Sequence, residues 1–125
     1  LYTTIAQIRN VAAGETVGYN RRGVVAANAR IATIRIGYAD GFSRQLSNGV
    51  GKVWLHGKLA PVIGTVCMDM TMIDVTNIPE AQENDEVEIF GTHLPVQQHA
   101  DWCNTIAYEI LTSIGLRVPR VYITE

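Results

Sequence analysis

Most of the first ninety residues follow the two-residue period that is typical of half-buried β-strands. Ala32, Ile34 and Ile36 alternate with polar residues, and the segment from Glu86 to Phe90 alternates in the same way. Other runs that are rich in β-forming residues are separated by glycine, proline and asparagine. These further predicted strands are Tyr2 to Arg9, Thr16 to Tyr19, Val53 to Leu55, Leu59 to Val66 and Thr71 to Val75. Many short strands with frequent turns predict a mainly β domain, built as a closed or nearly closed barrel.

Turn signals refine this prediction at two places. His56-Gly57-Lys58 lies between two predicted strands and indicates a hairpin. Pro61 lies in the second of these strands, and proline lacks the N–H that a central strand needs. This part of the run is therefore expected either at an edge of the sheet or at the start of a strand. The glycine-rich stretch 37–51 and the polar stretch 77–85 are predicted to be irregular.

The apolar period lengthens in the last third of the chain. The residues that recur there every three or four positions are Val96, Ala100, Cys103, Ala107, Ile110 and Ile114. This spacing predicts helix, with Pro95 at its first position and Gly115 as its C-cap. Asn104-Thr105 could divide it into two helices. A last strand is predicted over Arg117 to Ile123. We therefore expect one domain over residues 1–125, mainly β, with one or two short helices near the C-terminus.

Composition narrows the classes of function. The chain has 125 residues, 47% of them hydrophobic, which is enough for one domain with a core. Ten basic and twelve acidic residues give a net charge of −2, so no bulk positive field favours nucleic acid or an anionic membrane. No apolar run approaches the roughly 20 residues of a membrane helix. No signal peptide is visible, and a start at Leu1 within a predicted strand leads us to expect a fragment of a longer protein.

Cysteine and histidine usage indicates no metal site. Cys67 and Cys103 are too few for a disulfide framework, and neither belongs to a Cys-x-x-Cys pair. They are expected to be reduced thiols in a cytosolic protein. The three histidines are scattered along the chain, and no cluster with metal-ligand spacing is predicted.

The irregular segments contain the candidate chemistry. Two glycines bracket Tyr38 and Asp40 at the end of a predicted strand, so a sharp turn is expected to present both side chains. Asp69 interrupts two apolar strands and must find a partner or a solvent-filled cleft. Tyr19 follows a glycine at another strand end. Taken singly, a tyrosine at a strand end is more often a packing residue and an Asp before Gly is more often a turn residue, and Asp69 could simply bond nearby amides.

Together, these segments resemble the C-terminal domain of bacterial alanine racemase. Tyr19 and Tyr38 stand nineteen residues apart, as the two tyrosines of that family do. The resemblance covers about residues 1–122 and follows the order of the family. The matching segments are Ala13 to Tyr19, Ile36 to Gly41, Val66 to Asp69, Ile106 to Glu109 and Arg117-Val118-Pro119-Arg120.

The resemblance implies a function and an assembly. Alanine racemase interconverts L-alanine and D-alanine with pyridoxal 5′-phosphate (PLP) and supplies D-alanine for peptidoglycan. Its N-terminal domain is a TIM-type barrel that carries the cofactor lysine, and its C-terminal domain is mainly β. The implied assembly is a cytoplasmic homodimer in which each active site lies between the barrel of one subunit and the β domain of the other. The implied partners are therefore alanine and the barrel domains, without nucleic acid or membrane.

The resemblance also implies residue roles. Racemisation needs a base on each face of a planar carbanion, and Tyr19 matches the tyrosine that serves one face. A neighbouring positive charge or a hydrogen bond to the phenolate must lower the pKa of that tyrosine from about 10, and in the family the barrel supplies most of this environment. Tyr108 matches a tyrosine that contacts the cofactor phosphate. The other matches line the substrate corridor or, for Met68, approach the substrate carboxylate through a backbone amide: Tyr38, Asp69, Arg44, Ile106 and Met68.

The chain departs from the family pattern at three places. The run Asn20-Arg21-Arg22-Gly23 follows Tyr19 where relatives often have a glycine and a bulky aromatic residue. Thr65 stands at a corridor position that is often arginine, and Arg35 replaces a small residue or proline. Thr65 keeps open a racemase of broader amino-acid range. The effect of Thr65 and of Arg21 and Arg22 on the corridor is left open.

Two further expectations concern the chain by itself. Lys52 and Lys58 are its only lysines, and both lie around the predicted hairpin in no motif that resembles the cofactor-lysine site. We therefore expect no racemisation by the chain alone. A non-catalytic β-barrel module that binds a ligand or partner is the alternative from another class, but it leaves the coincidence of the matching segments unexplained.

Overall fold

A computed structural model describes residues 1–17, 23–24 and 28–123. The secondary-structure elements are β1 (Tyr2–Val11), β2 (Thr16–Val17), β3 (Gly23–Val24), β4 (Ala29–Ile34), β5 (Lys52–Leu55), β6 (Lys58–Pro61), β7 (Thr71–Asp74), β8 (Glu86–Glu88), α1 (Val96–Trp102) and α2 (Ala107–Ser113). Within these described residues, six strands form an antiparallel sheet in the order β6-β5-β8-β1-β4-β7, and β2 pairs with β3. The predicted class, mainly β with two short helices, is confirmed.

The predicted barrel is only loosely correct, because continuous strand pairing does not close the sheet. Its edge strands β6 and β7 approach each other just beyond the end of β6. The contacts seen there in the described chain are a bridge between Val62 and Ile73 and a 2.9 Å hydrogen bond from the Ile63 N–H to the Met72 carbonyl. The fold is thus an open sheet whose edges meet at one point.

One apolar cluster joins the sheet to the helices. Ile5 in β1 faces Ile34 in β4, and both side chains are fully buried, as the alternating pattern predicts. Residues of the helical stripe pack against the same cluster. These are Ala100, Cys103 and Ile110. The sheet therefore provides a fixed base for the segments that leave its strands.

The hairpin between β5 and β6 forms at the predicted place. His56 and Gly57 have φ values of 48° and 76°, which is the left-handed pair that a two-residue turn between twisted strands requires. Pro61 lies in β6 at the edge of the sheet, as predicted. The strand does not continue to Val66, because the chain bends after Pro61 towards β7.

Glu88 in β8 holds the loop that leads into α1. Its side chain is buried and accepts hydrogen bonds from the N–H groups of His93 (2.8 Å) and Leu94 (2.6 Å), and from the His93 ring (3.2 Å). Burial raises the pKa of Glu88, but the hydrogen bonds from Leu94 and His93 outweigh it and keep this pKa below its usual value. The carboxylate is thus charged and closes the loop.

His99 on α1 lies in the core. Its ring is fully buried, with centroids 5.9 Å from the Phe42 ring and 5.5 Å from the Phe90 ring. No described residue forms a hydrogen bond with its Nδ1. Burial, together with the positive charge of the N-terminus, lowers the pKa of His99 to about 4, so the ring is neutral at pH 7.

The helical segment is divided into α1 and α2 at Asn104-Thr105, the break that the sequence left open. Asn104 has φ 57°, and it ends the chain's helical path between α1 and α2. Pro95 is the N-cap of α1 instead of its first residue, and α2 ends at Ser113, before Gly115. In the described residues no helix has the length and apolar character needed to cross a membrane.

The predicted strand over residues 117–123 is wrong. The described part of this segment forms turns and irregular chain. The guanidinium of Arg120 donates to the carbonyls of Gly115 (2.7 Å), Val118 (2.7 Å) and Ile114 (2.9 Å), which folds the segment on itself. In the described part of the chain no strand pairs with this segment, and β-forming side chains such as Val121 are exposed.

Candidate functional site

The candidate site begins where β4 ends and the chain turns sharply. Tyr38–Asp40 form a single turn of 3₁₀ helix. The Asp40 carboxylate accepts from the Gly37 N–H at 3.0 Å and so closes this turn. The N–H groups of Tyr38 and Ala39 donate to the carbonyls of Cys67 (2.9 Å) and Met68 (3.0 Å). The turn is therefore hydrogen-bonded directly to the loop 66–70.

Glycine is required at both ends of this turn. Gly37 has extended backbone, but a Cβ added there would overlap the carbonyl groups of Cys67 and Met68. Gly41 has φ 104°, and its added Cβ would lie 2.7 Å from the Ser113 carbonyl oxygen. The two glycines thus allow the turn to contact the loop on one side and the end of α2 on the other.

A cavity of about 330 Å³ lies between the turn and the loop. Its lining includes three of the predicted substrate-binding residues: Tyr38 and Arg44, predicted for the corridor, and Met68, predicted near the substrate carboxylate. Thr65 lies in the same wall, together with Val66 and Cys67. The volume is at the lower end of the range for small-molecule sites, roughly 300–1,000 Å³. The structure therefore brings Tyr38, Arg44 and Met68 together around a space for a small ligand, but not Asp69 or Ile106.

The backbone amide of Met68 is available to a ligand. Its carbonyl accepts from Ala39, but in the described part of the chain no group accepts a hydrogen bond from the Met68 N–H. The Met68 side chain is about half exposed, so the loop is open to solvent. An unpaired N–H at a cavity wall is suited to a carboxylate oxygen.

Asp69, the residue after Met68, forms an ion pair that sequence reasoning missed. The Arg117 guanidinium donates to Asp69 at 2.5 Å through its terminal nitrogen, and to Asp40 at 2.5 Å through Nε. The hydrogen bond to Asp40, followed by that to Asp69, raises the pKa of Arg117 above its usual value, so the group stays charged. The only sequence signal for this pairing was that all three residues lie in matching segments.

The predicted residues of α2 do not line this cavity. Ile106 and Tyr108 lie at the start of α2, and their side chains are 61% and 78% exposed. A second cleft of about 270 Å³ lies between the 3₁₀ turn and α2, and its lining includes Tyr38, Glu109 and Ile110. Tyr38 thus borders both the cavity and the cleft, whereas Ile106 and Tyr108 project from the helix into solvent.

The predicted base lies outside the described residues. Tyr19 belongs to the part of the chain that the structure does not describe, as do Asn20, Arg21 and Arg22. Its role as a base therefore stays a prediction.

Neither Lys52 nor Lys58 lines the cavity or the cleft, whereas Cys67 lines the cavity and Cys103 lines the cleft. Lys52 Nζ lies 5.4 Å from the centroid of the Trp102 ring, and Lys58 Nζ donates to the Asn77 carbonyl at 2.9 Å. Cys67 and Cys103 are both free thiols, and burial raises the pKa of Cys103. In the described ranges no three His, Cys, Asp or Glu side chains are grouped as ligands for a metal ion.

Comparisons with known proteins agree on one family. The family profile described as "Alanine racemase, C-terminal domain" matches residues 1–122. The alanine racemase of Acidiphilium cryptum is 47% identical over 121 residues, which cover 97% of this chain and 34% of that protein. The alanine racemase of Stutzerimonas stutzeri is 44% identical over 116 residues, with 93% and 32% covered.

Solved structures show the same similarity. The chain superposes on Bartonella henselae alanine racemase with covalently bound pyridoxal phosphate at a TM-score of 0.93 and 40% identity, covering 98% of this chain and 34% of that one. For the biosynthetic alanine racemase of Pseudomonas aeruginosa the TM-score is 0.94 at 39% identity, with 99% and 34% covered. The chain spans about a third of the length of these relatives.

Proposed function

The chain belongs to the alanine racemase C-terminal domain family, and from that premise we propose that the whole protein interconverts L-alanine and D-alanine with PLP. The observation that carries this proposal is the cavity in which Tyr38, Arg44 and the unpaired Met68 N–H come together. The rest of the protein is proposed to contain an N-terminal TIM-type barrel with the cofactor lysine. The threefold greater length of the relatives supports this, as do the positions of Lys52 and Lys58 on the hairpin.

The cavity is proposed as part of the substrate corridor. The Met68 N–H is proposed to bind one oxygen of the substrate carboxylate, and Tyr38 and Arg44 line the same cavity. Arg44 adds a positive charge, which favours an anionic group at this end of the substrate. Asp69 and Ile106 contribute to the outer part of the corridor.

The residues present fit a contact to the cofactor phosphate. The Tyr108 side chain is largely exposed, and no described residue forms a hydrogen bond with its hydroxyl, so this O–H is available as a donor to a phosphate oxygen. When bound, PLP withdraws electrons from the substrate Cα and so makes its proton acidic. The chain supplies the phenol that helps to orient the cofactor, and the cofactor lysine is proposed to come from the barrel.

Tyr19 is proposed as the base for one face of the substrate Cα. A tyrosine with a pKa near 10 is a weak base at pH 7, so it needs nearby positive charge or a hydrogen bond to its phenolate. The barrel is proposed to supply that environment. We therefore expect no turnover by the 125-residue chain alone, and racemisation by the purified chain would contradict this.

The proposed assembly is a cytoplasmic homodimer in which this domain completes the active site of the partner subunit. Exposed apolar side chains support an interface near the cavity. On α2 and the turn that follows it, Tyr108 and Ile106 are mostly exposed, Leu111 is half exposed and Leu116 is 98% exposed. The product D-alanine is proposed to serve peptidoglycan synthesis.

The proposal is tested with Tyr19→Phe in the full-length enzyme. Deuterium exchange at Cα is followed for each alanine enantiomer separately. We expect exchange from one enantiomer to collapse and exchange from the other to continue. The matched control is Tyr2→Phe, which removes the same hydroxyl from a tyrosine on β1 outside the cavity lining. If both enantiomers exchange in the Tyr19→Phe variant as in the wild type, the base assignment is wrong.

The amino-acid range is tested with the same enzyme. Thr65 places a small polar side chain in the cavity wall, and this favours room for a side chain larger than that of alanine. We propose alanine as the preferred substrate and measure racemisation of L-alanine, L-serine and L-lysine side by side. Equal or faster turnover of serine or lysine would favour the broader-specificity alternative.

A further inference from the structure

Three segments of the site share one arginine. Arg117 reaches Asp40, 77 residues earlier in the chain, and Asp69, 48 residues earlier. Asp40 belongs to the turn that carries Tyr38, and Asp69 follows Met68 in the adjoining loop; Tyr38 and Met68 both line the cavity. The two carboxylates that Arg117 joins therefore belong to the two segments that supply these lining residues.

Asp40 is the inner of the two anchors. It is buried, its second carboxylate oxygen accepts from the Gly37 N–H, and its carbonyl accepts from the Gly115 N–H at 3.0 Å. Gly37 is in turn packed against Met68 so closely that no Cβ fits. A displacement of Asp40 is thus passed directly to the contact between the turn and the loop.

Asp69 is the outer anchor, and it depends on Arg117. Its side chain is 58% exposed. Within the described residues, Arg117 is the only hydrogen-bond partner of the Asp69 carboxylate. The Arg117 side chain is itself 53% exposed, and ion pairs at such exposure add little to folding stability. A planar guanidinium that binds two carboxylates from different segments does, however, restrict their relative position.

From these contacts we infer that Arg117 is a positioning residue of the racemase site: by joining Asp40 to Asp69, it fixes Tyr38 relative to the Met68 N–H and so sets how the substrate carboxylate is held. This inference rests on the proposed function. It assigns Arg117 no contact with substrate, because Arg117 does not line the cavity.

A purely structural role for the terminal arginines is the competing explanation, and the chain offers a matched control for it. Arg120 lies three residues further along the same terminal segment and donates to three backbone carbonyls, but to neither Asp40 nor Asp69. Arg120→Gln therefore removes the same charge and loosens the same segment while it keeps the bridge. Arg117→Gln removes the bridge and keeps the contacts of Arg120.

The experiment uses the full-length enzyme with five variants: Arg117→Gln, Arg117→Lys, Asp69→Asn, Arg120→Gln, and Asp69→Asn combined with Arg117→Gln. KM and kcat are measured in both directions. Propionate, which has the carboxylate of alanine but no amino group, is titrated by calorimetry as a binding probe. The unfolding midpoint of each variant is recorded, so that all comparisons are made well below it.

We expect Arg117→Gln to raise KM and the propionate Kd by about tenfold or more, because a misplacement of about 1 Å is enough for such losses. For Arg120→Gln we expect KM and the propionate Kd to stay within about twofold of the wild-type values. Arg117→Lys should recover only part of the loss, since one ammonium cannot reproduce the two-pronged contact. In the double variant, KM and the propionate Kd should be no more than about twofold higher than in Arg117→Gln alone, because both substitutions remove the same Arg117–Asp69 contact.

The outcomes separate this inference from the proposed function. A wild-type enzyme that racemises alanine, with Arg117→Gln equal to Arg120→Gln in KM and propionate Kd, would overturn the positioning role and leave the proposed function intact. A wild-type enzyme that does not racemise alanine would overturn both. If Arg117→Gln does not fold, Asp69→Asn, which changes an exposed carboxylate, provides the same comparison, and an unchanged propionate Kd in that variant would refute the role.

Discussion

Replacing Gly37 with alanine tests whether close contact between the turn and the loop builds the site. The added Cβ would overlap the carbonyls of Cys67 and Met68, so the loop must move. That movement weakens the hydrogen bonds from Tyr38 and Ala39, at about 1 kcal/mol each. Overpacking adds about 1–3 kcal/mol. We expect the free energy of unfolding to fall by about 3–5 kcal/mol in total, a large share of the roughly 5–15 kcal/mol of a typical domain.

The assay is urea unfolding of the chain, followed by the fluorescence of Trp54 and Trp102. A loss of this size shifts the midpoint by about 2 M urea. Gly57→Ala is the control: Gly57 has φ 76°, but no atom lies within 4 Å of its added Cβ, so only the left-handed backbone opposes the change, by about 1 kcal/mol. If Gly37→Ala is no less stable than Gly57→Ala, the contact at Gly37 is not as close as we describe and the reasoning fails.

Three further predictions concern the core, the loop before α1 and the thiols. Because the pKa of His99 falls from 6.5 in the unfolded chain to about 4 on folding, the unfolded chain binds more protons between these values. The contribution of His99 to the free energy of unfolding is therefore fully present above about pH 6.5, and about 2 kcal/mol of it is lost between pH 7 and pH 5. Urea unfolding at both pH values should show this loss, and the His99→Phe variant should not show it. Glu88→Ala leaves two backbone N–H groups unpaired and should cost about 2–4 kcal/mol in the same assay, whereas Glu86→Ala on the exposed side of β8 should stay within about 0.5 kcal/mol; equal losses would contradict the role of Glu88. A thiol reagent should label Cys67 well before Cys103, whose pKa is raised by burial, and simultaneous labelling would show that the native core opens readily.

The fold was predictable wherever a local pattern determines structure. The alternation around Ile34 gave β4, and the two-residue turn at His56 and Gly57 gave the hairpin. The three-to-four spacing gave both helices, because only that spacing buries Ala100 and Ile110 on one face. The terminal strand failed for a related reason: residues 117–123 have β-forming side chains, but Arg120 takes up nearby carbonyls and no partner strand is present in the described chain.

The candidate site was predictable only in part. Tyr38, Arg44 and Met68 were identified through the family resemblance, and the structure places them around one cavity. The bridge from Arg117 was missed because no periodicity relates residues so far apart in the chain. Which carboxylates a distant guanidinium meets is decided by how the strands bring the two ends of the chain together, and that information lies in the topology.

The separation between Arg117 and its partners has a consequence for the order of folding. A contact that spans 77 residues closes a long loop, so we expect it to form after the shorter-range pairings of β4 with β1 and with β7. Such late contacts are absent from the folding transition state, so weakening them speeds unfolding and leaves the rate of folding nearly unchanged. We therefore expect the shape of the cavity to be among the last features that the chain acquires as it folds and among the first that it loses.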